Sequence, residues 1–345
     1  MLKASWHKHE LLFKFDAKTS RGSMKTHTAY FIKLWESENP DIFGLGEASP
    51  LKGLSVDHRP DFEKYLTKFT ENLHEWDDNE FSQFPSIRFG LETAILDLKN
   101  GGTRKIFDTG FYLGKQPIPI NGLVWMADKA TMQNQIKEKI AAGFTTIKLK
   151  VGAIAFADEL ALLKYIRKEF TEKDITIRLD ANGAFSVQEA LEKLKKLSEF
   201  GVHSIEQPIK QGKIAQMAEI CASSPLPIAL DEELIGIYHH QDKNHLLETI
   251  KPPYIILKPT LLGGLKASKE WIEICNSMRI GWWMTSALES NIGLNAICQF
   301  TSIFQNALPQ GLGTGSLYHN NIISPLTVEN GFIFYNTNQK FKIDF

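Results

Sequence analysis

From Pro117 to about residue 312, short apolar runs alternate with amphipathic helical stretches, and this rhythm restricts the fold more than any other property of the chain. The runs are IPINGLV (118–124), TIKLK (146–150), ITIRLD (175–180), HSIE (203–206), PIALD (227–231), YIILK (254–258), GWWMTS (281–286) and LPQGLG (308–313). Helical periodicity fills most of the gaps, at 128–142, 156–170, 187–200 and 264–277. Strands each followed by a helix pair in parallel, and eight such units close on themselves. The expectation is an α/β chain whose residues 118–313 form a (β/α)8-type barrel, a modified TIM barrel.

Upstream the pattern differs. Alternating segments near 9–17, 26–36 and 42–48 predict three strands, and helical periodicity follows near 57–74 and 86–100, so residues 1–117 read as an α+β unit. The tail 314–345 carries the short runs VENGFIFY and KFKIDF without a helix signal, and is expected to return to the N-terminal unit.

Composition narrows the partners. The 39 basic and 40 acidic residues nearly cancel, and no basic run is long enough for a nucleic-acid or membrane footprint, so small soluble partners are expected. The first fifteen residues mix charges and histidines among the apolar positions, unlike a signal peptide or a membrane span; a cytoplasmic location is expected, with the oligomeric state open. Cys221, Cys275 and Cys298 lie far apart with no C-x-x-C pair, and read as buried apolar side chains rather than a disulfide or zinc framework.

In a parallel barrel the chemistry sits at the C-terminal strand ends. Five of the eight predicted strands end in charge: Lys148 and Lys150, Asp180, Glu206, Asp231 and Lys258. Side chains alternate across a strand, so Ile147, Leu149 and Val151 face the helices while both lysines face inward; the same parity turns Asp180, Glu206, Asp231 and Lys258 inward. Each piece alone has a plainer explanation: a solvated edge, an Asp-Ala-Asn-Gly turn, a helix cap. Together they do not, because three acids and three lysines in one barrel mouth are a costly burial of charge unless something organises them.

Three carboxylates with no histidine or cysteine make a hard oxygen site suited to Mg²⁺, with Mn²⁺ as a substitute, and Asp180, Glu206 and Asp231 are the candidate ligands. A metal there polarises a substrate carboxylate and stabilises the enediolate left when the adjacent carbon loses a proton. Lys150, crowded by Lys148 and a dication, is the candidate base and Lys148 its tuner. Lys258 arrives from the opposite side, as an acid on the other face or as a fixed cation.

TIKLKVG, RLDANGAF, IEQPI, LDEEL and ILKPTLLGG, in this order, resemble the enolase superfamily over nearly the whole chain, and GLGEASPL (44–51) is similar to the marker of that family's N-terminal capping domain. Lysines on both the second and sixth strands resemble its muconate-lactonizing subgroup. Within it, NGLVWM (121–126), LKPTLLGG (257–264) and TSALESNIGL (285–294) look most like members that dehydrate 2-succinyl-6-hydroxy-2,4-cyclohexadiene-1-carboxylate in menaquinone biosynthesis.

The resemblance implies that Lys150 takes the ring proton and returns it to the departing hydroxide, that Lys258 serves as a cation near the ring, that Asn182 steadies the metal shell, and that Ser286 helps hold a carboxylate. TSRGSMK (19–25) reads either as a mobile lid with Arg21 reaching the succinyl carboxylate or as an ordinary hairpin turn. GLGTGSLY (311–318), with Gly313, lacks nucleotide-loop spacing and is expected to line the pocket with backbone. The rival readings are an N-succinylamino acid racemase, a dipeptide epimerase, and a barrel without catalysis. Dipeptide epimerases present Asp-x-Asp after the eighth strand, where this chain reads Gly311-Leu312-Gly313-Thr314-Gly315.

Overall fold

The computed structural model describes residues 1–19, 22–73 and 78–344. An antiparallel sheet of β1 (Leu2–Thr19), β2 (Gly22–Glu36) and β3 (Asn39–Ala48) carries helices α1 (Phe62–Glu71), α2 (Asp78–Ser82) and α3 (Pro85–Lys99). After β4 (Ile118–Pro119) come β5 (Gly122–Val124), α4 (Lys129–Ala141), β6 (Thr146–Lys150), α5 (Phe156–Glu169), β7 (Thr176–Asp180), α6 (Val187–Ser198), β8 (Val202–Glu206) and α7 (Ile214–Ser223). The succession continues through β9 (Ile228–Leu230), α8 (His240–Ile250), β10 (Tyr254–Leu257), α9 (Pro259–Leu262), α10 (Gly264–Met278), β11 (Gly281–Met284) and α11 (Asn291–Thr301), and ends with β12 (Leu326–Glu329) and β13 (Phe332–Tyr335).

Strands β5 to β11 pair in sequence order as one parallel sheet. The first and eighth predicted strands differ from expectation. Residues 118–124 split: β4 joins β13 in a small antiparallel sheet, and only β5 enters the barrel. Residues 308–313 form no strand; instead Gln310 bridges to Ile120 and Gly311 to Thr285, so two residues hold the eighth place. The physical reason lies in Pro309, which has no N–H for a ladder, and in two glycines that weaken a strand. Asn121 N donates to Gln310 O at 2.9 Å and Gly311 N to Met284 O at 2.7 Å, and these bonds join the sheet's two edges.

Alternation along the strands builds the core. Ile147, Leu149, Ile177, Leu179, Ile205, Leu230, Ile255 and Leu257 are buried between barrel and helices. Inside the lower barrel, Ala229, Ile256 and Trp283 pack together, with the Arg178 guanidinium carbon 3.9 Å from the Trp283 ring centre. Local signals set the helices: Ser186 and Glu189 form a reciprocal capping box that starts α6.

The N-terminal sheet meets the barrel through a second apolar cluster in which Leu11, Phe31 and Leu45 pack with Leu261, Leu288 and Ile292. Each such side chain contributes roughly 1.5–3 kcal/mol, so the sheet is held firmly over the C-terminal strand ends. The tail returns to this sheet, where Lys14 N donates to Leu317 O and His319 N to Leu12 O. Among the described residues no helix is long and apolar enough to cross a membrane.

The first five residues of GLGEASPL end β3, and its glycines let the strand rest directly on α3. A methyl on Gly44 would stand 1.9 Å from Ala94 O, and one on Gly46 1.8 Å from Gly90 O. Gly46→Ala is therefore expected to cost about 1–3 kcal/mol by overpacking, read as a lower urea midpoint; an unchanged midpoint would show that the strand can lift away freely.

Candidate active site

Strand register brings the predicted groups to one height. Lys150 stands opposite Asp180, and Asp180 opposite Glu206, while Asp231 and Lys258 lie just past the ends of β9 and β10. Asp180, Glu206 and Asp231 are at most 2 % exposed, and Lys148 and Lys258 are also buried. The six groups form one charge cluster. Lys148 Nζ lies 2.5 Å from Glu206 Oε2 and 2.8 Å from Asp180 Oδ2. Lys150 Nζ donates to Asp180 Oδ2 and to Asn182 Oδ1, each at 2.6 Å. Lys258 Nζ donates to Asp231 Oδ2 and stands 3.8 Å from Glu206 Oε1.

The electrostatics follow from burial set against opposite charge. For Asp180, burial opposes ionisation, but the ammonium groups of Lys148, Lys150 and Lys258 overcome it and hold the carboxyl well below the usual carboxylate range. Burial lowers the proton affinity of Lys148, yet Asp180 and Glu206 reverse this and keep its ammonium more firmly protonated than a free lysine. Lys258 is raised likewise, with Asp231 and Glu206 outweighing burial. Glu206 is pushed upward by burial and by the neighbouring Asp180 and Asp231 charges.

Above the cluster lies a cavity of about 700 Å³ whose lining includes Lys148, Lys150, Asn182, Lys258, Ser286 and Gly313 from the barrel. The N-terminal sheet and the loop after it supply Lys14, Phe15, Met24, Leu51, Lys52 and Leu54. The lysines form the floor and the three carboxylates lie beneath them. Ser286 Oγ is 2.7 Å from Thr314 Oγ1 and accepts from Leu288 N at 3.0 Å. Arg21 lies outside the described residues, as does Ser20 in the segment read as lid or turn.

The donor set fits a hard dication. All three acids supply oxygen only, and Glu206 Oε1 is buried and accepts no hydrogen bond among the described residues. Among those residues no three acidic, histidine or cysteine side chains form a ready-made cage. The lysine ammoniums occupy one oxygen of each acid, Asp180 Oδ2, Glu206 Oε2 and Asp231 Oδ2, so a dication would share these carboxylates with the lysines.

Sequence reading missed several supporting residues. Arg178 shares Asp180's inward parity and could have been found from alternation; its Nη1 donates to Pro309 O at 2.6 Å. Glu232 accepts from Asn182 Nδ2 at 3.0 Å, and Gln207, in a left-handed conformation, accepts from Asp231 N at 3.1 Å through its side chain. The aromatic wall of Phe15 and Trp125, ring centres 5.3 Å apart, joins β1 to the end of β5 and left no periodic trace.

Residues 131–338 match the family model described as enolase C-terminal domain-like. The chain is 43 % identical to an o-succinylbenzoate synthase of Desulfotalea psychrophila, over 96 % of this chain and 98 % of that protein. An L-Ala-D/L-Glu epimerase of Francisella tularensis subsp. novicida is 30 % identical over 54 % of this chain and 50 % of its own length. Among solved structures, MenC from D. psychrophila superposes with a TM-score of 0.85 at 40 % identity, covering 96 % of this chain and 99 % of that one. The muconate lactonizing enzyme of Pseudomonas fluorescens, complexed with muconolactone, shares the fold at 22 % identity, with a TM-score of 0.82 over 99 % of this chain and 96 % of its own.

Removing one ammonium leaves buried carboxylates uncompensated. Lys148→Ala is expected to cost about 3–5 kcal/mol near neutral pH, measured by urea unfolding without added metal. Because the folded-state pKa of Asp180 is depressed, its stabilisation is full above the unfolded value near 4 and fades as pH falls toward the lower folded value. The gap between wild type and Lys148→Ala should therefore narrow on acidification below about pH 4. A gap independent of pH would contradict the ion-pair account.

Proposed function

The chain belongs to the enolase superfamily, and from that premise we propose that it is a hydro-lyase of the o-succinylbenzoate synthase type, removing water from 2-succinyl-6-hydroxy-2,4-cyclohexadiene-1-carboxylate to give 2-succinylbenzoate. Superfamily enzymes depend on a metal, and we take Mg²⁺ as the ion here, with Asp180, Glu206 and Asp231 as its ligands. Residues 1–117 with the tail 314–345 serve as the cap and 118–313 as the catalytic barrel. The observation that carries the reading is the cavity itself: three lysines floor it, and the segment after the eighth-strand position lines it with Gly311, Gly313 and Thr314, which offer backbone and a hydroxyl there rather than a carboxylate.

Lys150 Nζ takes the proton from the ring carbon that bears the carboxylate. The electron pair left behind is delocalised into that carboxylate, then returns to form the new ring double bond as the carbon–oxygen bond to the neighbouring hydroxyl breaks. Lys150 gives its proton to the departing oxygen on the same face, so one C–H and one C–O bond are lost and one water leaves. Aromatisation drives the loss. When bound, Mg²⁺ supplies electrostatic stabilisation of the charge that develops on the substrate carboxylate.

Lys148, kept protonated by Asp180 and Glu206, stands as a fixed cation beside the base. Lys258 enters from β10, on the far side of the floor from β6, and contributes positive charge near the ring rather than a second proton transfer. Asn182 accepts from Lys150 and donates to Glu232, which orients the base. Ser286 and the backbone at Gly313 hold carboxylate oxygens of the substrate.

Purified protein given the cyclohexadiene carboxylate with Mg²⁺ should form the aromatic product, followed by its ultraviolet absorbance. Racemisation of N-succinylamino acids or epimerisation of dipeptides without that product would replace the dehydratase reading with its relatives' chemistry. Lys150→Ala should lower kcat by roughly 10²- to 10⁴-fold with an unchanged circular dichroism spectrum; near-normal turnover would remove Lys150 as the base.

A further inference from the structure

Two buried carboxylates outside the charge cluster converge on the loop that follows β11. Glu289 is fully buried; its Oε1 accepts from the Thr260 hydroxyl and its Oε2 from Ala287 N at 2.8 Å. Thr260 stands two residues after Lys258, in the turn where Leu261 N and Leu262 N both donate to Lys258 O. Ala287 lies between Ser286 and Leu288, and all three line the cavity. One side chain thus ties the lysine of the sixth strand end to the substrate wall of the seventh.

Glu47 reaches the same loop from β3. It accepts from Ser290 N at 2.8 Å, Ser290 Oγ at 2.5 Å and Gly293 N at 2.8 Å, and from the Ser49 hydroxyl. Gly293 makes room for both acids: a methyl there would stand 2.8 Å from Glu289 Cβ and 3.0 Å from Glu47 Oε2. Between the two clamps Leu288 is held in a left-handed conformation at φ 72°, a state that a branched residue keeps only when its surroundings dictate it. Tyr318 OH donates to Leu288 O at 2.6 Å and completes the restraint.

We propose that Glu289 is a positioning residue that locks the Lys258 turn and the Ser286–Leu288 wall into one catalytic geometry, with Glu47 as the matching clamp from the cap. A buried acid with two acceptor bonds to two different strand ends does more than stabilise; it sets the distance between them. Displacing a reacting group by about 1 Å can cost on the order of 10²-fold in rate. The kinetic part of this inference rests on the dehydration reading.

The test uses Glu289→Ala, Glu289→Gln, Thr260→Ala and the Thr260→Ala/Glu289→Ala pair, all in the full chain with Mg²⁺. Glu289→Ala should lower kcat by about 10²-fold. Glu289→Gln should restore it to within a few-fold, because an amide can still accept from Ala287 N and donate to a reversed Thr260 hydroxyl. Thr260→Ala should add no further loss on top of Glu289→Ala. Full additivity, or equal losses in the alanine and glutamine variants, overturns the proposal.

Hydrogen exchange supplies a readout independent of turnover. Glu289→Ala and Thr260→Ala should speed exchange at 258–262 and 286–290 while β6 stays protected; unchanged exchange at both segments overturns the clamp even if the wild type turns over another substrate. Absence of the aromatic product from the wild type, with the exchange pattern as expected, would sink the reaction assignment and leave the clamp standing. If Glu289→Ala does not fold, Glu289→Gln and Thr260→Ala still decide the matter by these same two measurements.

Discussion

Three lysines and three acids meet at the ends of five adjacent strands, and so much charge can gather there only because the two sets oppose one another. Asp180 illustrates the balance, because burial alone would neutralise it and the lysines around it keep it charged. Lys148 is the mirror case, pulled toward neutrality by burial and held protonated by Asp180 and Glu206. The barrel's closed wall makes this compensation possible, since parallel register delivers Lys150, Asp180 and Glu206 to one level. Every other part of the site is arranged around this cluster.

Beneath it the barrel is plugged rather than open. Arg178 lies against Trp283 and donates to Pro309 O, so the eighth-strand segment is fastened from inside although it forms no regular ladder. Above it the cap closes the cavity with Phe15, Met24, Leu51 and Leu54, while Glu47 reaches past the cap's own core to the loop after β11. The floor and the upper wall of the cavity thus come from the barrel and the N-terminal sheet, which share one apolar seam. Polar anchors such as Glu47 make that seam specific in register, because each acceptor has one donor geometry to satisfy.

Much of this was legible in the linear chain. Alternation around Lys148 and Lys150, and the inward parity of Asp180, Glu206, Asp231 and Lys258, predicted a convergence that the strand register reproduces. Helices over 156–170 and 187–200 were legible from their period, and lie at Phe156–Glu169 and Val187–Ser198. The eighth strand was misread because an apolar and glycine-rich run satisfies the pattern of a strand while Pro309 withholds a donor from the ladder. Arg178 shares the parity of Asp180 but lies in the middle of β7, where alternation marks an inward side chain without marking what it binds.

The sequence by itself determined which residues face the barrel interior, because side-chain alternation is a property of any extended strand, and it determined that their charges had to be compensated. Only the tertiary structure decided which lysine pairs with which acid. Lys148 sits between Asp180 and Glu206, Lys150 between Asp180 and Asn182, and Lys258 on Asp231. Those partners are 27 to 58 residues apart in the chain, and closure of the barrel sets their separation. The partners of Glu47 and Glu289 were equally out of reach, since Glu47 meets a backbone N–H 243 residues away and Glu289 a hydroxyl 29 residues away, and neither bond leaves a periodic signal.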